Sequence, residues 1–204
     1  MTQCIIFDLS EVLIAGLVGI EKELSQVLPI PEHEILPRFG GDLFHELLVG
    51  NISEDTYLQQ IVAREGWTIG PARLKAVVRD NFHHEVEGSL SLVAELATGY
   101  ELVLLSDHAR EWVAYIRSIH PFLRLFQHAF FSFDLKRTKK HPQAFLQVLD
   151  AISISPRNCL FVDDNPHNVN VAESVGIPGI QFLNARQLAA GLERRQVQGL
   201  NERR

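Results

Sequence analysis

Three places in this chain put a carboxylate where a run of apolar residues stops. Asp8 follows the run from Cys4 to Phe7, Ser106-Asp107 follows the run up to Leu105, and Asp163-Asp164 follows the run up to Val162. Taken alone, Asp8 is most simply a turn or helix-capping residue; recurrence at three strand ends changes that reading. Ligands of open α/β sheets bind outside the carboxyl ends of the strands, so these groups share one chemically active edge. Carboxylates brought within a few ångströms repel, and one stays protonated unless a cation neutralises them. Oxygen donors without a His or Cys cluster select a hard ion, and Mg²⁺ takes few protein carboxylates while keeping positions for a phosphate oxygen and water. A carboxylate beside such an ion can act as a nucleophile that becomes an aspartyl-phosphate. Ser106 and a nearby lysine then hold the phosphoryl oxygens and offset charge during transfer.

The elements needed to position these groups are legible in the hydrophobic pattern. Cys4 to Phe7 predicts a strand buried on both faces. From about Gly19 to His84 the apolar residues recur at helical spacing, as in Leu43, Phe44, Leu47 and Leu48, with breaks at Pro29, Pro31, Gly40-Gly41 and Gly50. Ser53 predicts the cap of a helix that continues through Ile61 and Val62, and Pro71 the start of another. This is an all-helical insert, a small bundle. From Glu87 strands and helices alternate, the mark of a parallel sheet covered by helices. Further strands are expected at 100–105, 129–131, 158–162 and 179–183, with helices at 111–119 and 142–149 and a terminal helix from 185 to about 198. The last residues, GLNERR, read as a frayed end.

A chain of 204 residues holds one well-buried core with a small second domain. The expected division is a core of residues 1–14 and 86–204 and a cap of residues 15–85. A net charge of −6 provides no basic field for nucleic acid. Cys4 and Cys159 lie in apolar runs, as reduced, buried thiols do. The apolar N-terminus has no preceding basic residue and is interrupted by Asp8 and Glu11, unlike a secretory signal. No stretch approaches the ~20 apolar residues of a membrane helix. The expectation is a cytoplasmic protein, monomer or homodimer, with no membrane or nucleic-acid partner.

The order FD-x-S-E-V-L, then LLSD, then a lysine before H-P-Q-A-F, then FVDDNPHNV with A-x-x-x-G, closely resembles the haloacid dehalogenase (HAD) superfamily over nearly the whole chain. The similarity is to its small phosphatases with a helical cap after the first motif, including the sugar-1-phosphate phosphatase type. It implies an α/β fold: a Rossmann-type parallel sheet core with helices on both faces, and a small all-helical cap inserted after the first strand. It implies a Mg²⁺-dependent hydrolase of a small phosphate ester. By resemblance Asp8 matches the nucleophile, and the backbone carbonyl of Ser10 a metal ligand together with Asp8, Asp163 and Asp164, of which Asp164 is the more direct. Leu9, Ser106, Asp107, His108 and Lys139 form the substrate-binding set, and Asn168 steadies the last loop. Lys139 matches the third-motif lysine, although Lys140, in the usual proline position, leaves open which lysine reaches the site.

Ser10 departs from the pattern, because the family's usual general acid is an Asp there. A serine hydroxyl is too weak an acid to replace it, and general acid help is worth about 10²–10⁴-fold. Three accounts stay open: a leaving group that needs little protonation, such as an acyl or anomeric phosphate; another acid, such as Glu11, His108 or a cap residue; or a protein that binds phosphate esters and turns them over poorly. A non-catalytic regulatory protein is the alternative from a different class. A 2-haloacid dehalogenase needs no metal and usually has an aromatic residue at the Ser10 position. A receiver domain, of ~120 residues, carries its acidic pair after the first strand, against the motif order here.

Among the remaining residues, His83, His84 and His141 lack ligand-spaced partners and read as surface or capping groups. Lys136 to Lys140 reads as a solvated loop holding one phosphate-directed lysine. Phe39 to Phe44 reads equally as a cap loop facing the site or a plain helix break. Trp67 and Trp112 read as packing residues.

Overall fold

The computed structural model describes residues 2–195 and 197. Strand β1 (Cys4–Phe7) is buried along its whole length. After it come five helices without an intervening strand: α1 (Ile20–Leu24), α2 (Glu32–Phe39), α3 (Asp42–Leu48), α4 (Glu54–Glu65) and α5 (Pro71–Asn81). The alternating part follows as α6 (Ser89–Leu96), β2 (Glu101–Ser106), α7 (Arg110–Ile119), β3 (His128–Phe131), α8 (Ser132–Leu135), α9 (Pro142–Ile152), β4 (Cys159–Asp163), α10 (Pro166–Ser174), β5 (Gly179–Gln181) and α11 (Ala185–Arg194).

The five strands form one parallel sheet in the order β3-β2-β1-β4-β5. Side chains alternate between its faces. Ile5, Phe7, Leu102, Leu104, Leu160 and Val162 pack on one side, into a core continuous with the cap helices. Cys4, Ile6, Val103, Leu105, Cys159 and Phe161 pack on the other, under α9 and α10. Both thiols are free and buried, and they oppose each other in the β1–β4 register.

β1 sits at the centre because the chain lays β2 and β3 on one side of it and then returns to lay β4 and β5 on the other. This is the switch-point arrangement that opens a crevice at the carboxyl edge. The return from β3 to β4 carries the segment 136–141 across that edge. In the register Phe7 faces both Leu104 and Val162, so Asp8 and Asp163 are level across neighbouring strands.

The helix boundaries have local causes. Ser53 Oγ accepts the Thr56 N–H at 3.2 Å to start α4, and Gly66, at φ 64°, ends it. Asn165 caps α10 by accepting the His167 N–H at 3.0 Å, with Pro166 next. The chain enters and leaves the α1–α5 segment side by side: Ala15 N–H donates to His84 O at 2.8 Å and Val86 N–H to Leu13 O at 2.9 Å.

Two strands run one residue later than their apolar runs suggest. Ser106 is the last residue of β2, paired in register with Phe131, and Asp163 the last of β4, paired with Gln181. β5 is shorter than expected because Leu183 leaves the sheet: its N–H donates to the Gln187 side chain at 3.2 Å, and its side chain is exposed. The described part of the terminal helix stops at Arg194; the expected continuation to Gln198 and the GLNERR end lie outside the described residues. Among the described residues no helix is long and apolar enough to cross a membrane.

Candidate active site

The carboxyl ends of β1, β2 and β4 and the loop before α9 converge on one buried ammonium. Lys139 Nζ lies 2.7 Å from Asp8 Oδ2 and 2.6 Å from Asp163 Oδ2, and the lysine is 2% exposed. Its backbone is held as firmly. The Lys139 N–H donates to both oxygens of Asp107, at 3.0 and 3.1 Å. Lys140, one residue on, is exposed.

Each carboxylate has a different set of partners. Asp8 Oδ1 accepts the Leu9 N–H at 2.7 Å, so its two oxygens are held by a backbone donor and by Lys139. Asp163 is saturated: Oδ1 accepts from Asn165 N–H at 2.9 Å and Asn168 Nδ2 at 3.1 Å, and Oδ2 from Lys139. Asp164 is half-buried at the same edge. Asp8, Asp163 and Asp164 offer ligand oxygens that all lie within 4.8 Å of one another.

Burial pushes the Asp8 and Asp163 carboxyls above their ordinary values, with the Lys139 ammonium acting against it. Asp164 is raised by burial and then by the charge of Asp163. Burial pulls the Lys139 ammonium down, but Asp8, Asp163 and Asp107 outweigh it and hold the group charged. One ammonium among crowded carboxylates leaves an excess of negative charge. A divalent cation on the same oxygens relieves that excess, and the all-oxygen donor set suits Mg²⁺. The residues present therefore fit a magnesium ion.

Ser106 Oγ and Thr138 Oγ1 are buried without a hydrogen-bond partner. An orphaned buried hydroxyl at a strand end is a ready donor to an incoming anion. Ser10 Oγ lies 3.3 Å from His108 Nε2, whereas His108 Nδ1 is buried and unpartnered. Burial, followed by the Lys139 charge, lowers the His108 pKa to about 3, so the ring is neutral. The backbone carboxyl-side hook after β1 turns at Glu11, a non-glycine residue at φ 60°. Its Oε1 accepts the N–H groups of Gly16 and Val18, at 2.8 and 3.2 Å.

A cavity of about 230 Å³ opens from Ser10 and Asp107 into the space between the α1–α5 segment and the sheet, walled by Val18, Phe44, Phe82 and Trp112. Phe44 thus faces the site from α3, while Phe39 is buried against Trp67. The expected site residues Asp8, Leu9, Ser10, Ser106, Asp107, His108, Lys139, Asp163, Asp164 and Asn168 gather at this edge. His83 and His84 do not: they are exposed, His83 against Tyr115 and His84 against the Asn81 carbonyl.

Three contributions had no signal in the sequence. The Asp107 side chain anchors the Lys139 backbone. Ser132 Oγ accepts the His108 N–H at 3.0 Å. Trp112, read as packing, lines the cavity and donates its indole N–H to Glu54 at 2.9 Å. Each partner is distant along the chain, and only the folded sheet brings it close.

Comparison with known proteins agrees with this architecture. A HAD family enzyme of Bacteroides thetaiotaomicron, in complex with magnesium and inorganic phosphate, superposes with a TM-score of 0.72 at 22% identity, over 89% of this chain and 94% of that one. A predicted HAD-like family hydrolase of Porphyromonas gingivalis superposes with a TM-score of 0.75 at 20% identity, over 97% of this chain and 99% of that one. At these identities the likeness is one of fold. A segment of 56 residues is 38% identical to an Arabidopsis thaliana chloroplast flavin mononucleotide hydrolase, covering 28% of this chain and 23% of that protein. The matched segment is thus about a quarter of the length of that relative. The haloacid dehalogenase-like hydrolase family matches residues 2–176, most of the chain including the ends of β1, β2 and β4, and the protein belongs to that family.

Proposed function

We propose that this chain is a Mg²⁺-dependent phosphatase that hydrolyses a small phosphate ester through an aspartyl-phosphate on Asp8. The observation that carries the reading is Lys139 Nζ set between Asp8 and Asp163, with the unpartnered Ser106 hydroxyl at the end of β2, the strand next to the one that ends in Asp8. Asp8 is the nucleophile, with Oδ1 steadied by the Leu9 N–H. Ser106 and Lys139 hold the phosphoryl oxygens, and Asp107 positions Lys139 through its backbone. Asp163 orients the ammonium and is itself fixed by Asn165 and Asn168. Asp8, Asp164 and the Ser10 carbonyl, with Asp163 alongside, would hold the metal. Bound there, Mg²⁺ supplies positive charge to the transferring phosphoryl group.

In this reading 1–14 and 86–204 are the core and 15–85 the cap, with 1, 196 and 198–204 outside the described residues. The paired crossings at Leu13–Ala15 and His84–Val86 form the neck between them, and closure of the cap would exclude bulk water from the cavity.

Ser10 favours a second reading, a phosphate-ligand binder with little turnover, because no acid stands at its position. The test is phosphate release from a panel of monoesters and acyl phosphates, with and without Mg²⁺, by wild type, Asp8→Asn and Ser10→Asp. Mg²⁺-dependent release that vanishes in Asp8→Asn supports the phosphatase. Silence in wild type with gain in Ser10→Asp supports the binder.

A further inference from the structure

The cavity beside the carboxylates has an apolar wall and a floor of Ser10, Glu11, Asp107 and His108 whose polar atoms are largely engaged, His108 Nδ1 being the exception. Its wall is built by Leu17, Val18, Phe44, Phe82 and Trp112, and among the described residues no lysine or arginine lines it. Its rings interlock: Trp112 meets Phe82 at 5.6 Å, Phe44 at 6.3 Å and His108 at 5.6 Å between centroids. On the floor, Asp107 is taken by the Lys139 N–H, Glu11 Oε1 by Gly16 and Val18, and Ser10 Oγ by His108. A polyol entering this space would lose water at each hydroxyl and find few partners, a cost of about 1–3 kcal/mol per group. An aromatic ring instead meets edges and faces that suit it. A cavity of ~150 Å³ holds benzene, so the volume of about 230 Å³ here accommodates one substituted ring.

The same floor offers the departing oxygen no carboxylic acid at the position of Ser10. Ser10 stands where an acid would, and the nearby carboxylates of Glu11 and Asp107 are held by backbone N–H groups. An ester whose leaving group needs little protonation therefore suits this floor. A phenol, with a pKa of ~10, is a far weaker base as its anion than an alkoxide, whose parent alcohol resembles water at ~15.7.

The geometry points to an aryl phosphate, the monoester of a small phenol, as the substrate class of this site, an inference that rests on the phosphatase reading above. In the first step an Asp8 oxygen forms a bond to phosphorus, and the phosphorus–phenolic oxygen bond breaks with its electron pair on the phenolate. Water then attacks the aspartyl-phosphate, restoring the carboxylate. Its oxygen ends in inorganic phosphate and one of its protons neutralises the phenolate.

The test compares phenyl, benzyl and glycerol phosphates, with acetyl phosphate as a small activated control, on purified full-length protein with Mg²⁺ and with Asp8→Asn as the blank. Phenyl phosphate should exceed benzyl phosphate, which has the same ring but an alkoxide leaving group, by about 100-fold or more in kcat/KM. Ser10→Asp should narrow that gap. Binding is read separately: phenyl phosphate should quench the tryptophan fluorescence of Asp8→Asn, and glycerol phosphate should not. Turnover of acetyl phosphate with phenyl phosphate no better than benzyl or glycerol phosphate overturns the substrate class and leaves the phosphatase standing. No release from any of the four overturns both.

Discussion

The carboxylate of Glu54 is fully buried and accepts the indole N–H of Trp112 at 2.9 Å, joining the first turn of α4 in the helical insert to α7 on the sheet. Arg79 and Lys75, both on α5, close around the same carboxylate at 2.6 and 2.9 Å. The wall of the cavity thus depends on a charge cluster that spans both parts of the chain. Glu54→Ala strands Arg79 and the indole, whereas Lys75 keeps Asp55 at 2.8 Å, and removing one partner of a buried pair costs about 3–5 kcal/mol. Since Arg79 and Lys75 keep some solvent contact, a loss near the lower end, about 3 kcal/mol, is expected in chemical denaturation. Trp112→Phe removes a single donor and should cost about 1 kcal/mol.

Lys139 and Lys140 should separate cleanly. Lys139→Met leaves Asp8 and Asp163 buried without their cation, so we expect a stability loss of about 3–5 kcal/mol and loss of phosphate release. Lys140→Ala, at an exposed position, should stay within about 0.5 kcal/mol of wild type. Thermal melts and a phosphate-release assay on both variants check this, and equal effects would contradict the assignment.

Metal binding should register as stabilisation before any assay of turnover. Mg²⁺ at a hundred times its Kd should stabilise the folded state by about 2.7 kcal/mol, and EDTA should reverse this. Asp164→Asn should abolish most of the gain, since Asp164 belongs to the acidic cluster without being the group that anchors Lys139. A melting temperature that does not respond to Mg²⁺ in wild type would count against the site.

Asp8→Asn should remove phosphate release by about 10⁴-fold or more, because Asp8 is the carboxylate that the Lys139 ammonium and the Leu9 N–H hold at the end of the central strand. Asp163 is bound by three donors, and Asp107 by the Lys139 backbone. A variant retaining a tenth of the wild-type rate would exclude Asp8 as nucleophile.

At high pH the cap should fail through Tyr57. Its hydroxyl donates to the Phe39 carbonyl at 2.7 Å in a fully buried site, and burial raises its pKa above the ordinary value. A pKa raised in the folded state contributes stability that is complete below the unfolded value of ~10 and lost as pH rises beyond it. Phenolate absorbance from Tyr57 should therefore emerge together with alkaline unfolding. Tyr57→Phe should remove that pH dependence while costing about 1 kcal/mol at neutral pH.

Much of the fold was legible because its signals are local. The four buried residues of β1, the helical spacing between Gly19 and His84, and Ser53 and Pro71 as helix starts each act within a turn or two of chain. Element edges were less legible: Ser106 and Asp163 belong to their strands only because Phe131 and Gln181 lie alongside.

The residue types at the strand ends, Asp8, Ser106-Asp107 and Asp163-Asp164, were determined by the sequence alone, and so was the family they announce. Register and crossover decided the rest. Which lysine reaches Asp8 depends on the return from β3 to β4, which turns Lys139 inward and leaves Lys140 in solvent. Whether Glu11 is available as an acid depends on the two backbone N–H groups that hold it. That Trp112 faces a cavity depends on Glu54, 58 residues earlier in the chain. Hydrogen bonds and packing between residues so far apart leave no periodicity in the sequence, and they exist only once the sheet has set the distances.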